Sequence, residues 1–321
     1  MEEIKMRIKR TLQPYVDANK IKFGFGNIAL ERDLEYSLQN VELVKKLDSD
    51  NIQSYSEDEK EIIDTMCAKG LMTTNNYDDS KFSRNINFFE WVDTTDNLDP
   101  YVYQKQLINS TVLIVGVGGI GSTVMEILAR MGVGNFIIVD FDKVEESNLT
   151  RQSGFKKNDI GKYKTEVIKK HIEEISDSNV ITMNKKIEQK SDLEGVFANY
   201  QFDIAVCCAD TPRIEIDYWF DDLAHKYDSP FIAGSYASTV VNYLYIVPGK
   251  TISLREFYKK HMISDDHILE NYPSTSVIAP ISYMSAALIA YKIFTELTGL
   301  LKIIDFMQID CIDWKISRYE N

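Results

Sequence analysis

The sequence predicts an α/β protein: a doubly wound, mainly parallel sheet with a small winged-helix-like domain ahead of it. Three observations lead there. From Ser110 onward, short β-branched apolar runs alternate with helical stretches, the mark of strand–helix–strand units in a parallel sheet. A glycine cluster, Gly116-Val-Gly118-Gly119-Ile-Gly121, falls between the first of those runs and the helix after it. Before residue 75 the pattern differs, with a period-2 stretch followed by two short amphipathic helices.

In residues 1–75, Ile21, Phe23 and Phe25 alternate with polar or glycine positions, Gly26-Asn27 interrupts, and Ile28 and Leu30 resume. This reads as a hairpin. Residues 35–47 place Leu38, Val41 and Leu47 at helical spacing. Ser56-Glu-Asp-Glu59 is a capping box before Ile62, Ile63 and Met66, and Gly70 ends that helix. A hairpin with two or three helices suits a winged-helix-like module, although a decorated N-terminal extension would look the same. Residues 76–100 are polar and read as a linker. Phe88, Phe89 and Trp91 within it imply that the segment packs against a surface.

Residues 101–321 form the larger domain. Thr111–Val115 is its first buried strand, Val124, Ile127, Leu128 and Met131 mark the next helix, and 136–139 is a second strand running into Asp140. Helices are expected over 160–175 and 214–227, and strands over 202–208, 231–234 and 243–247. A late apolar helix over 286–297 and a final strand over 306–312 close the chain.

Composition narrows the function. The 321 residues hold 36 Lys+Arg against 49 Asp+Glu, a net charge of −13, which disfavours nucleic acid and anionic membrane as partners. No run approaches the roughly 18 apolar residues of a membrane span, and the N-terminus has no apolar signal segment. A cytoplasmic protein is expected. Cys67, Cys207, Cys208 and Cys311 show neither a disulfide framework nor a metal knuckle, and core packing is their plainer use.

The glycine cluster is Rossmann-like: glycines permit a tight turn and close approach to phosphate, and the helix start after them favours negative charge. Asp140 ends the following strand, where a carboxylate can take ribose hydroxyls. Asn148, Arg151 and Gln152, then Lys164, add amides and cations that suit a triphosphate losing pyrophosphate and have no use in hydride transfer. Asp210 ends the third buried strand, and Mg²⁺ gives a reason for a carboxylate among phosphate-binding cations. Singly, Lys164 reads equally as a solvated helix residue and Asp210 as a helix cap before Thr211-Pro212. Their joint spacing is what points to a nucleoside triphosphate.

The run STVLIVGVGGIGSTVMEILARMGVGNFIIVDFDKVEESNLTRQ, with GKYKTEVIKK after it, resembles the ThiF/MoeB superfamily of ATP-dependent adenylating enzymes, relatives of ubiquitin-activating enzymes. The resemblance covers roughly residues 80–310. It implies that Gly116, Gly118, Gly119 and Gly121 hold phosphates, that Asp140 binds ribose, and that Asn148, Arg151 and Lys164 bind the triphosphate. Asp142 and Gln152 join the nucleotide contacts, and Asp210 positions Mg²⁺. Phe82-Ser83-Arg84-Asn85 is similar to the element whose arginine reaches a neighbouring subunit's site, so Arg84 is the candidate trans arginine of a homodimer. Within the superfamily the chain resembles the microcin C-type and pantocin-type enzymes that modify ribosomally made peptides. That likeness implies a precursor-peptide substrate, with residues 1–75 as a peptide clamp binding by strand addition near 21–30.

Two features depart from the superfamily's pattern. The CxxC pairs that hold structural zinc are absent, so no zinc site is expected, and the crossover segment 250–276 has no cysteine to form a thioester. The chemistry implied is acyl-adenylate formation ending in a peptide adenylate, a ring or a dehydration. Adenylation of the C-terminal glycine of a sulfur-carrier or ubiquitin-like protein is the alternative, and a non-catalytic peptide-binding scaffold is the other class. Segment 250–276 also carries a basic island, Arg255, Lys259, Lys260 and His261, either a solvated helix face or a lid for an acidic substrate.

Overall fold

A computed structural model describes residues 6–24, 30–49, 54–77, 80–261 and 276–319. The chain divides into two compact units, residues 1–106 with 298–301, and residues 107–297 with 302–321.

The first unit grows from short elements that cannot stand alone. Strand β1 (Arg7–Ile8) is followed by β2 (Tyr15–Asp17), β3 (Lys20–Phe23) and β4 (Arg32–Glu35), then α1 (Leu38–Asp48), α2 (Glu57–Ala68) and β5 (Met72–Thr73). β1 pairs with β5, while β2, β3 and β4 form an antiparallel meander in that order. Ile21 lies opposite Leu34, and Phe23 opposite Arg32. The expected hairpin is therefore a meander whose return strand starts later, at Arg32, and the turn residues Phe25, Asn27 and Ile28 lie outside the described residues. β3 is the central strand with both edges paired, so strand addition has only the outer strands β2 and β4 to use.

Local capping fixes the two helices. Ser37 accepts from the Asn40 N–H ahead of α1, and Ser56 and Glu59 form the reciprocal box ahead of α2. Leu43, Leu47, Ile63 and Met66 turn inward onto Ile8, Leu12, Ile21, Phe23 and Leu34, a core whose fully buried side chains contribute about 2 kcal/mol each. The segment expected as a linker contains α3 (Ser83–Val92), followed by α4 (Tyr101–Asn109). Phe89 is buried against Tyr103 and Trp91 packs on the unit's core, so of the three aromatics only Phe88 is exposed.

Glu90, on α3, is the polar hub of this unit. It is fully buried, and its carboxylate accepts from the Thr11 hydroxyl at 2.8 Å, the Tyr77 hydroxyl at 2.8 Å and Asn75 Nδ2 at 3.0 Å. Beside it, buried Lys9 donates to the Asp93 carbonyl at 2.9 Å. Burial pulls the Lys9 ammonium down to about 8, against the attraction of Asp93.

The second unit holds β6 (Thr111–Val115), α5 (Gly119–Arg130), β7 (Asn135–Val139), α6 (Lys164–Ile175), β8 (Asn179–Met183), α7 (Lys190–Asn199) and β9 (Ile204–Cys207). It continues through α8 (Glu215–Tyr227), β10 (Phe231–Ala237), β11 (Val240–Ile246), α9 (Leu254–His261), α10 (Ala279–Thr298), β12 (Phe306–Asp310) and β13 (Lys315–Tyr319). Among the described residues one sheet has the order β13-β12-β11-β10-β9-β6-β7-β8. In that order the strands from β10 to β8 run parallel and the rest antiparallel, which is the mainly parallel, Rossmann-like α/β sheet expected.

The order places the site. From β6 the chain moves outward through β7 to β8, then returns to lay β9 on the other side of β6. The crevice between the carboxyl ends of β6 and β9 is therefore the topological switch point, where open α/β sheets bind ligands. β9 is wholly buried and β6 and β7 are buried past their first residue, which holds that crevice rigid. Further along the sheet, Gly234 lets α10 approach closely: a Cβ there would fall 2.7 Å from Ile289 Cγ1. Among the described residues no helix is long and apolar enough to cross a membrane.

Candidate functional site

Each glycine of the cluster meets a different constraint. Gly116 has φ +92°, and a Cβ on it would lie 2.6 Å from the Cys208 carbonyl at the end of β9. Gly121 faces the Gly116 carbonyl oxygen so closely that any side chain would overlap it. Gly118 faces open space, with only Gln152 Nε2 as near as 3.9 Å. Gly118 is also the N-cap of α5 and offers no side-chain cap, so the first-turn N–H groups and the positive end of the helix dipole are left for an anion.

Asp140 ties this loop to the next strand. One oxygen accepts the Val117 N–H at 2.6 Å and the other the Asp142 N–H at 2.7 Å. Burial pushes the Asp140 carboxyl above the usual range, opposed by those two backbone donors and by Lys164. Each oxygen keeps acceptor capacity.

The expected helix over 160–175 begins instead at Lys164, after a 3-10 turn at Lys157–Asp159. That late start alters the reading of Lys164, which is buried and not a solvated helix residue. Its ammonium donates to Asp142 at 2.8 Å and its backbone N–H to the Asp142 carbonyl at 2.9 Å. A 3-10 turn, Glu146–Thr150, carries Asn148, with Arg151 as its C-cap and Gln152 just after it. Asn148 is buried and accepts the Glu145 N–H at 3.0 Å, and Arg151 donates from Nη1 to the Ser147 carbonyl at 3.0 Å. Arg151 Nε and Gln152 Oε1 are buried and have no hydrogen-bond partner among the described residues. Such atoms cost roughly 1–3 kcal/mol each, which a bound polar ligand would recover.

Asp210 lies beyond the end of β9, exposed, with the Thr211 hydroxyl 3.3 Å away. The carboxylate has lone pairs to spare. That fits Mg²⁺, which is held by one or two carboxylates and substrate phosphates and not by an all-protein cage. The glycine cluster, Asp140, Asp142, Asn148, Arg151, Gln152, Lys164 and Asp210 thus belong to one set of loops at the switch point. Arg84 belongs to the other unit, exposed in the first turn of α3.

The cysteines are poor nucleophiles. Burial drives the Cys207 thiol well above its ordinary value and the Cys208 thiol up to about 12. Cys207 is within 3.4 Å of Asp217, whose carboxylate also accepts the Tyr258 hydroxyl at 3.1 Å. Arg255 of the basic island stacks over Tyr218 at 4.1 Å and pairs with Asp222 at 3.2 Å, so it is engaged within the fold. Sequence patterns hold no sign of the Tyr236 and Ser282 hydroxyls, which reach the glycine cluster from β10 and α10.

The ThiF family model matches residues 82–318. The adenylyltransferase and sulfurtransferase MOCS3 of Caenorhabditis briggsae is 34% identical over 134 residues, 41% of this chain and 32% of that protein. The chain thus spans about a third of that relative's length. Molybdopterin-synthase adenylyltransferase of Haemophilus influenzae is 28% identical over 218 residues, 66% of this chain and 88% of that one. E. coli MccB, crystallised with MccA-N7isoASN, superposes with a TM-score of 0.80 at 23% identity, covering 98% of this chain and 96% of that one. PaaA superposes with a TM-score of 0.76 at 20% identity, covering 97% and 98%. At such identities the likeness to these two is one of fold.

Proposed function

The chain belongs to the ThiF family, and from that premise we propose that it is an ATP-dependent adenylyltransferase activating a carboxylate or carboxamide of a ribosomally made peptide. The observation that carries the reading is the uncapped start of α5 at the switch point, with Asp140 on one side and buried cationic and amide groups around it.

In this mechanism the N–H groups at Gly118–Gly121 hold phosphate oxygens, and Asp140 accepts ribose hydroxyls with its remaining lone pairs. Arg151 and Lys164 stabilise the charge that develops as a substrate oxygen bonds to the α-phosphorus and the bond to pyrophosphate breaks. For Lys164 this requires exchanging Asp142 for phosphate. Asp210 would hold Mg²⁺, which when bound would supply neutralisation of the phosphate charge. Arg84 serves a second copy's site in a homodimer. The protein's task is positioning and charge stabilisation, with little acid–base demand.

Peptide substrates are favoured by the fold likeness extending over the whole chain. MccB, which shares both units, has been crystallised with ATP and with MccA. The outer strands β2 and β4 offer edges for a leader peptide to extend the meander. The second reading, a carrier protein's C-terminal glycine, is favoured by the sequence match to molybdopterin-synthase adenylyltransferase.

The test incubates the chain with ATP, Mg²⁺ and the short peptides encoded beside its gene, and reads the mass. Gain of AMP or loss of water on a peptide is expected, and Lys164→Ala or Asp210→Ala should slow it by about 100-fold or more. Unchanged rates in both variants would overturn the mechanism. Adenylation of a carrier protein with no peptide modified would move the substrate to the second reading.

A further inference from the structure

The crevice has a second polar wall, on the side of the glycine loop away from Asp140. β10 lies beyond β9, and the start of α10 is fixed over its end: Ser285 donates to the Ser235 carbonyl at 3.3 Å, and Gly234 admits Ile289. This anchoring brings two hydroxyls to Gly119. A Cβ on Gly119 would lie 2.6 Å from Ser282 Oγ and 3.5 Å from the Tyr236 oxygen. Ser282 has no exposed surface, and its Oγ has no hydrogen-bond partner among the described residues. A buried hydroxyl left without a partner is costly, and this one sits at the uncapped start of a twelve-residue helix.

The strand order says what it faces. The carboxyl ends run β7, β6, β9, β10. With ribose at Asp140 just after β7 and phosphates at the loop after β6, the nucleotide is accommodated on one side. The attacking group must come from the other, past β9 and β10. We infer that Ser282 and Tyr236 form the acceptor subsite of the adenylation reaction, donating hydrogen bonds to a carboxylate or carboxamide so that one of its oxygens faces the α-phosphorus. The inference rests on the adenylyltransferase reading. The acceptor oxygen forms the new O–P bond, the bond between the α-phosphorus and the pyrophosphate oxygen breaks, and pyrophosphate leaves. The two hydroxyls keep their protons throughout, and a carboxamide acceptor releases one proton from nitrogen to solvent.

The test uses the full chain, the peptide that it modifies, and the variants Ser282→Ala, Tyr236→Phe and their double. ATP affinity, measured by calorimetry without peptide, should stay within about twofold, which also shows that the variants are folded. The peptide KM in pyrophosphate release should rise about tenfold for each single variant and further for the double, as expected when a hydrogen bond to a charged or carbonyl oxygen is lost. A peptide KM within about twofold of wild type in the double variant would overturn the subsite. Weakened ATP binding with an unchanged peptide KM would also overturn it, by assigning the hydroxyls to the nucleotide. If the wild-type chain itself neither binds ATP nor modifies a peptide, the adenylation reading falls and the subsite falls with it.

Discussion

Glu90 in the first unit and Asp140 in the second are both buried carboxylates, and they are satisfied in opposite ways. Glu90 is surrounded by side chains of its own unit: Thr11, Tyr77 and Asn75 all donate to it. Asp140 is held by two backbone N–H groups, from Val117 and Asp142, and borders a loop whose Gly118 faces open space. A carboxylate enclosed by side-chain donors fixes packing. One anchored by backbone alone, with acceptor capacity in hand beside an uncapped helix, is available to a ligand.

Glu90 puts this contrast to its strongest test. Glu90→Ala strands the buried Asn75 amide and the half-buried Thr11 and Tyr77 hydroxyls, and urea unfolding should show a loss of about 3 kcal/mol, with ATP affinity unchanged by calorimetry. Glu90→Gln keeps one acceptor oxygen and should lose less. Asp140→Asn should do the reverse, weakening ATP about tenfold while costing roughly 1 kcal/mol of stability. If Asp140→Asn destabilised the chain as much as Glu90→Ala and left ATP binding intact, the distinction would collapse.

The smallest effect concerns Lys9, the cation beside Glu90's network. Its folded pKa of about 8 lies below the ordinary 10.5, so between those values the unfolded chain binds more protons and stability rises with pH. Relative to Lys9→Met, wild type should gain about 1 kcal/mol between about pH 7 and 9. Above about pH 10 the half-buried Tyr77 works the other way, because desolvation raises its pKa and keeps the folded form protonated. A flat difference between wild type and Lys9→Met across that range would show that Lys9 is solvated.

What was legible in the sequence was local. The runs of β6, β7 and β9 announce buried parallel strands, and the glycine cluster with Asp140 announces the switch point. β8 and β13 escaped notice because they are edge strands: only Val180 of β8 is buried, and β13 has no buried residue. The start of α6 at Lys164 was hidden because Asp142 fixes it from another loop. Tyr236 and Ser282 share no spacing at all. They meet at Gly119 only because α10 lies on β10, and the Asp217, Cys207 and Tyr258 cluster is likewise made by packing between distant elements.

Gly116 and Gly121 are closed to substitution by the chain's own backbone, at Cys208 and at Gly116 itself, whereas Gly118 is kept open toward solvent. The three glycines therefore record different histories. A descendant that lost its nucleotide would still need the outer two in order to fold, while the middle position would drift freely. A glycine loop with its ends intact and its centre replaced would be the fossil of such an activity.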